Sequence, residues 1–177
     1  MNRRAAIRNV VIFSAGAALL PSCMQDTGKA SILLKKISIS SDQEKLLAEL
    51  TETILPKTDG PGAKDISAHL FALMMVDDCY KKEDQQKFMA GIIAFEAKAK
   101  KQFGKPFIDC NAKEKEGLLT ELEANRSGDE NLAYFYSTVK KLTIQAYTTS
   151  KFYLTNVKVY KLVPGPFSGC VPVKNAS

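Results

Sequence analysis

The sequence predicts an all-α fold, a single domain of about five amphipathic helices with an irregular Pro/Gly-rich C-terminal tail, and three observations carry that prediction. Apolar residues recur three or four apart through five separate stretches between residues 41 and 148, the spacing that gathers them on one helix face. Capping residues and turn formers stand at the ends of those stretches. Nothing in the chain reads as a strand-rich core. The 177 residues are one domain's worth. A composition 45% hydrophobic and 25% charged excludes a disordered or collagen-like chain.

Residues 1–22 read as an export signal. Arg3, Arg4 and Arg8 precede an apolar run from Val10 to Leu20, and Leu20-Pro21-Ser22-Cys23 closes it, the layout of a cleaved leader. Eleven residues are too few for a membrane-spanning helix, which needs about twenty. Small Ser22 before Cys23, with Leu20 three positions earlier, is similar to a bacterial lipobox and marks Cys23 as the lipid anchor. Two or three acyl chains there would hold the protein to a bacterial membrane durably, facing the periplasm or the cell surface. The Arg3-Arg4 pair is also similar to a twin-arginine export signal, and an ordinary basic leader fits it equally.

Residues 23–40 are polar and mixed and read as a tether; the domain comes after it, over residues 41–177. Ser41-Asp42-Gln43-Glu44 predicts a capping box, and Leu46, Leu47, Leu50 and Ile54 recur at helical spacing until Pro56 stops the helix. Residues 56–63, with two prolines and two glycines, predict a loop. A second helix is expected from Asp65 to Tyr80, and a third from Lys82 to Phe103 with Gly104 as its C-cap. Asn111-Ala112-Lys113-Glu114 predicts another capping box for a fourth helix ending before Ser127-Gly128. A fifth runs from Asp129 to Thr148 with Leu132, Phe135, Tyr136, Val139, Leu142 and Ala146 inside. From residue 151 onward the period is lost. Three prolines and two glycines between Val163 and Pro172 exclude a helix there. The tail keeps Tyr153, Tyr160, Val163 and Phe167, so it lies on its own domain or docks on another protein.

The formal charge of +6 comes from 25 basic and 19 acidic residues, and removing the three leader arginines leaves +3. So small a charge over a whole domain says little about partners and gives no case for nucleic acid. The cluster Lys98, Lys100 and Lys101 reads as a solvated helix end complementing the dipole. His69 is the one histidine, and no His or Cys pair has metal-ligand spacing. Haem-attachment, dinucleotide and phosphate-loop motifs are missing. Asp77 and Asp78, adjacent on a helix, do not face each other as an acid/base pair would. No catalytic, cofactor-binding or metal residues are therefore assigned. Besides Cys23 there are Cys79, Cys110 and Cys170. In an oxidising compartment they allow one bridge and one free thiol, and spacing does not choose among the three pairings. A bridge from Cys79 to Cys170 would close a loop of about ninety residues and contribute about 4 kcal/mol on the loop-entropy model.

Several segments taken in order resemble the gluconate 2-dehydrogenase subunit 3 family, the small accessory subunits of membrane-bound flavin dehydrogenases. They are Thr53-Ile54-Leu55-Pro56, Asp59-Gly60-Pro61-Gly62-Ala63, Asp78-Cys79-Tyr80, Phe88-Met89-Ala90-Gly91, Lys141-Leu142-Thr143, Tyr147-Thr148-Thr149-Ser150, Val163-Pro164-Gly165-Pro166 and Gly169-Cys170-Val171-Pro172. One departure is Lys151-Phe152-Tyr153, where relatives carry an acidic residue and a glycine. The resemblance implies a non-catalytic subunit without its own cofactor. Its partners would be a large FAD-bearing subunit of the glucose-methanol-choline type and a cytochrome subunit with haem c. It also implies Cys79 with Cys170 as the disulfide. Partner docking is expected at Tyr147, Thr149, Ser150, Pro164, Gly165, Pro166 and Phe167. Two other readings stand beside it: a free-standing lipid-anchored protein binding a small molecule or peptide between helices, and an enzyme acting through His69 and nearby carboxylates.

Overall fold

The computed structural model describes residues 28, 30–124, 128–158, 160, 161, 163 and 165. Five α-helices make up the body: α1 (Ser41–Ile54), α2 (Ala68–Cys79), α3 (Lys82–Phe103), α4 (Ala112–Glu123) and α5 (Glu130–Thr148). A 3₁₀ turn at Phe107–Asp109 joins α3 to α4, and a turn of π-helix, Tyr153–Val157, succeeds α5. Among the described residues there is no strand, and no helix is long and apolar enough to cross a membrane.

Local chemistry sets the helix ends. Asn111 caps α4 by accepting from the Glu114 N–H at 2.9 Å while Glu114 accepts from the Asn111 N–H at 2.8 Å, the reciprocal box that the sequence predicts. Gly104 ends α3 with φ of 70°, a left-handed position that favours glycine. At α1 the cap lies one residue earlier than expected. Ser40 accepts from the Gln43 N–H at 3.2 Å, and the Gln43 side chain accepts from the Ser40 N–H at 3.1 Å. Glu44, expected in that box, instead takes the N–H and hydroxyl of Ser31, both at 2.6 Å. The second helix also begins later, at Ala68, because the preceding turn places Ser67 in the left-handed region at φ 53°.

The core lies where α3 crosses α5. Phe88, Phe95, Phe107 and Phe135 are fully buried, with ring centroids 5.1 Å apart for Phe88 and Phe135 and 4.9 Å for Phe95 and Phe107, both near edge-to-face. Gly91 permits this approach. A Cβ built there would lie 2.3 Å from the Phe135 Cβ and 2.5 Å from the Asn131 carbonyl.

The segment expected as a tether is, from Ala30 onward, packed on the body. Ile37 and Ile39 are buried in the same core. The Asp77 carboxylate accepts the backbone N–H groups of Lys35, Lys36 and Ile37 at 2.8, 2.7 and 2.8 Å. An acid in the last turn of a helix opposes the dipole, and these donors offset that cost. Burial pushes Asp77 upward, yet the three N–H donors, with Lys36 nearby, outweigh it and hold the carboxyl below its usual range. Gln85 closes the same helix end, donating to the carbonyls of Val76 and Asp77 at 3.0 and 2.9 Å.

Candidate docking site

At the far end of α1, two segments widely separated in sequence come together. Thr51 to Ile54 finish the helix, and the loop after it is organised by carboxylates. Glu52 accepts from the Lys57 N–H at 3.2 Å and the Lys64 N–H at 2.8 Å. Asp65 accepts from the Gly62 N–H at 3.1 Å and pairs with the Lys57 ammonium at 3.1 Å. The loop leaves no room for a side chain at Gly62, where a Cβ would fall 2.6 Å from a Glu52 oxygen. A hydrogen bond from Ala63 N–H to Leu55 carbonyl at 3.0 Å closes it.

Against this loop stands the end of α5. A Cβ at Gly60 would lie 3.2 Å from the Phe152 ring and 3.4 Å from the Tyr147 hydroxyl. Tyr147 also meets Tyr153, with ring centroids 5.6 Å apart, and Phe152, at 6.5 Å. All three rings are half-buried. Beneath them a small satellite core of Ala63, Ala68 and Ala146 is flanked by Leu55, Ile66 and Phe71. The hydroxyls here serve the backbone. Thr149 donates to the Gln145 carbonyl at 2.8 Å, and Ser150 Oγ accepts from the Tyr153 N–H at 3.2 Å. They terminate α5 and start the π-turn, a geometry that recurs at functional sites.

The structure thus gathers Tyr147, Thr149 and Ser150 beside the 59–63 loop, a juxtaposition that helical periodicity alone does not reveal. Phe152 belongs to the same surface and escapes a reading of the sequence, because the loss of period after Ser150 hides it. Gly165 is exposed. Pro164, Pro166, Phe167, Cys23, Cys170, Arg3 and Arg4 lie outside the described residues. Cys79 is exposed at the last residue of α2, whereas Cys110 is buried. Burial pushes the Cys110 thiol upward, and its Sγ donates to the Pro106 carbonyl at 3.5 Å.

The candidate acid/base groups are not assembled. Asp77 is occupied by its three N–H donors, while Asp78 is exposed. His69 is half-buried with Nδ1 unpartnered, and burial lowers it against the opposing pull of Glu44. Among the described residues no cluster of three His, Cys, Asp or Glu side chains stands ready for a metal. A cleft of about 450 Å³ opens elsewhere, at the start of α1, floored by Leu46 and Phe107 and rimmed by Asp42, Glu96 and Lys100.

These features define a small all-helical body whose α1 and α5 ends meet at a half-buried cluster of aromatic rings. The chain belongs to the gluconate 2-dehydrogenase subunit 3 family, which it matches over residues 41–165, from the first residue of α1 to beyond the π-turn. No curated protein and no solved structure matches significantly.

Proposed function

We propose that the protein is a non-catalytic accessory subunit of a membrane-associated, FAD-dependent sugar or alcohol dehydrogenase, which it stabilises, escorts through export and anchors through lipid on Cys23. The observation that carries this reading is the family match, which spans the whole helical body. Within that frame Tyr147, Thr149, Ser150 and Phe152, with the loop at Gly60, form the docking end, and the tail through Pro164, Gly165, Pro166 and Phe167 extends it. FAD belongs to the large partner and haem c to a cytochrome subunit. A Cys79–Cys170 bridge would fasten the tail to the body, and the exposure of Cys79 supports it over Cys110.

The test is gentle extraction of the tagged native protein from membranes, then an absorption spectrum of the eluate. A large second polypeptide with flavin bands is the expected result. A colourless single polypeptide would overturn the proposal and favour a free-standing lipid-anchored binding protein, with the cleft beside Leu46 and Phe107 as its first site to probe. Replacing Cys23 by Ser should move the protein out of the membrane fraction. Unchanged fractionation would remove the anchor.

A further inference from the structure

The small net charge of the chain conceals a segregation. Its first 130 residues carry 19 basic and 19 acidic groups and are neutral; its last 47 carry six lysines and no aspartate or glutamate. The whole formal charge of +6 therefore sits on α5 and the residues C-terminal to it. Of the five lysines there that the structure describes, Lys140 is paired with Glu123 at 2.5 Å. Lys141, Lys151, Lys158 and Lys161 are exposed and have no ion-pair partner among the described residues.

Their placement comes from the helix. Lys141, Ile144 and Thr148 fall three or four residues apart on one stripe of α5, and Lys151 follows the last residue of that helix by three positions. Ile144 is 50% exposed in the middle of that stripe. Beyond it the chain turns back, the Tyr160 N–H donating to the Leu154 carbonyl at 2.9 Å, which keeps Lys158 and Lys161 beside the π-turn. Val157, Tyr160 and Val163 are 58%, 62% and 81% exposed there. An apolar strip bordered by cations of one sign is complementary to an apolar patch rimmed by carboxylates.

We infer that this lysine-bordered face of α5 and the π-turn docks on an acidic surface of the large subunit; the inference rests on the accessory-subunit reading and specifies its interface. Geometry favours a protein over anionic lipid. The Ser41 N–H donates to the Gly28 carbonyl at 3.3 Å, so the described chain enters at the start of α1. Tyr147 and Phe152 lie beyond the opposite end of that helix, beside Gly60. The fourteen residues of α1 separate the two ends by about 20 Å, and five residues from Cys23 to Gly28 reach at most about 18 Å. An anchor at Cys23 would hold the start of α1 within about 18 Å of the bilayer, whereas the π-turn and its lysines lie about a helix length further along.

The experiment is co-purification from membranes of the tagged full chain and of two charge-reversed forms. One carries Glu at Lys141, Lys151, Lys158 and Lys161; the other, as the charge-matched control, carries Glu at Lys82, Lys100, Lys101 and Lys113. Circular dichroism melts establish that each is folded. The expected result is that wild type and control retain the flavin-bearing polypeptide, while the first variant retains it roughly tenfold less or worse. Raising salt well above 0.1 M, where the Debye length is about 10 Å, should weaken the wild-type complex in the same direction. Equal retention by all three forms would overturn the inference and leave the accessory-subunit reading standing. Wild type eluting without a flavoprotein would overturn both. Loss of binding to phosphatidylglycerol vesicles by the first variant, with the flavoprotein retained, would reassign the face to lipid and overturn the inference.

Discussion

Around Phe95 four phenylalanines interlock between α3, α5 and the 3₁₀ turn, with Gly91 letting two helix backbones nearly touch. Around Gly60 the buried residues are three alanines, the rings of Tyr147, Phe152 and Tyr153 stay half-open, and two carboxylates hold the loop by its N–H groups. The first region is held by dispersion and apolar burial. The second is held by hydrogen bonds and leaves its large side chains partly in water. A small helical body can place its stability in one region and keep ring surface free in the other. Substitutions that test this division should therefore hurt folding at one end and association at the other.

The largest folding effect is expected from Phe95→Ala, which removes a ring contacting both Phe107 and Phe135 and should cost about 3–5 kcal/mol in thermal or urea unfolding. Gly91→Ala comes next. Alanine gains up to about 1 kcal/mol in helix propensity, but the overlap with Phe135 and the Asn131 carbonyl should reverse that into a net loss of about 1–3 kcal/mol. An unchanged midpoint for Gly91→Ala would mean that the α3–α5 crossing slides apart cheaply, and the contrast between the two ends would weaken.

Asp77→Asn should cost about 1–3 kcal/mol, since one oxygen and the charge are lost from three backbone donors, that of Ile37 buried. Its pH dependence has a definite sign. The folded carboxyl lies below its ordinary value of 3.8, so its stabilisation is fully present above that value and is lost as pH falls through the folded one. Wild type should therefore lose stability more steeply than Asp77→Asn on acidification below about pH 4. Parallel acid profiles for the two would show that the strap of residues 35–37 draws nothing from that charge.

That strap also marks the limit of what the sequence discloses. The five helices are legible because their apolar faces recur locally, as at Phe88, Ile92, Phe95 and Ala99, and because Asn111 and Gly104 are specific to helix ends. Ser40 and Ser41 are adjacent, and each has a suitable partner three residues on, so local chemistry leaves the cap of α1 one residue uncertain; Ser31 decides it by taking Glu44. Residues 30–39 read as a tether because their apolar residues have no helical period, and their partner, Asp77, stands about forty positions away. Tyr147, Thr149 and Ser150 stand out as candidates, but their meeting with Gly60 depends on α1 and α5 ending together. Net charge is least informative, because summing it over the chain erases the division at residue 130.

Tyr147→Ala should have the smallest effect on folding and the most selective effect on assembly. The ring is half-buried, touching the Gly60 loop and Tyr153, so its loss should lower the unfolding free energy by less than about 2 kcal/mol, well short of a fully buried aromatic truncation. Partly exposed tyrosines at an interface are a different matter, since large rigid rings carry a disproportionate share of binding energy. If this end is the docking surface, the variant should melt near wild type yet lose most of the co-purifying flavoprotein. Tyr147→Phe, which keeps the ring and removes only the hydroxyl, should retain it. The opposite pattern, a large drop in melting temperature with association intact, would place Tyr147 with the phenylalanines as a structural residue and move the interface to another face.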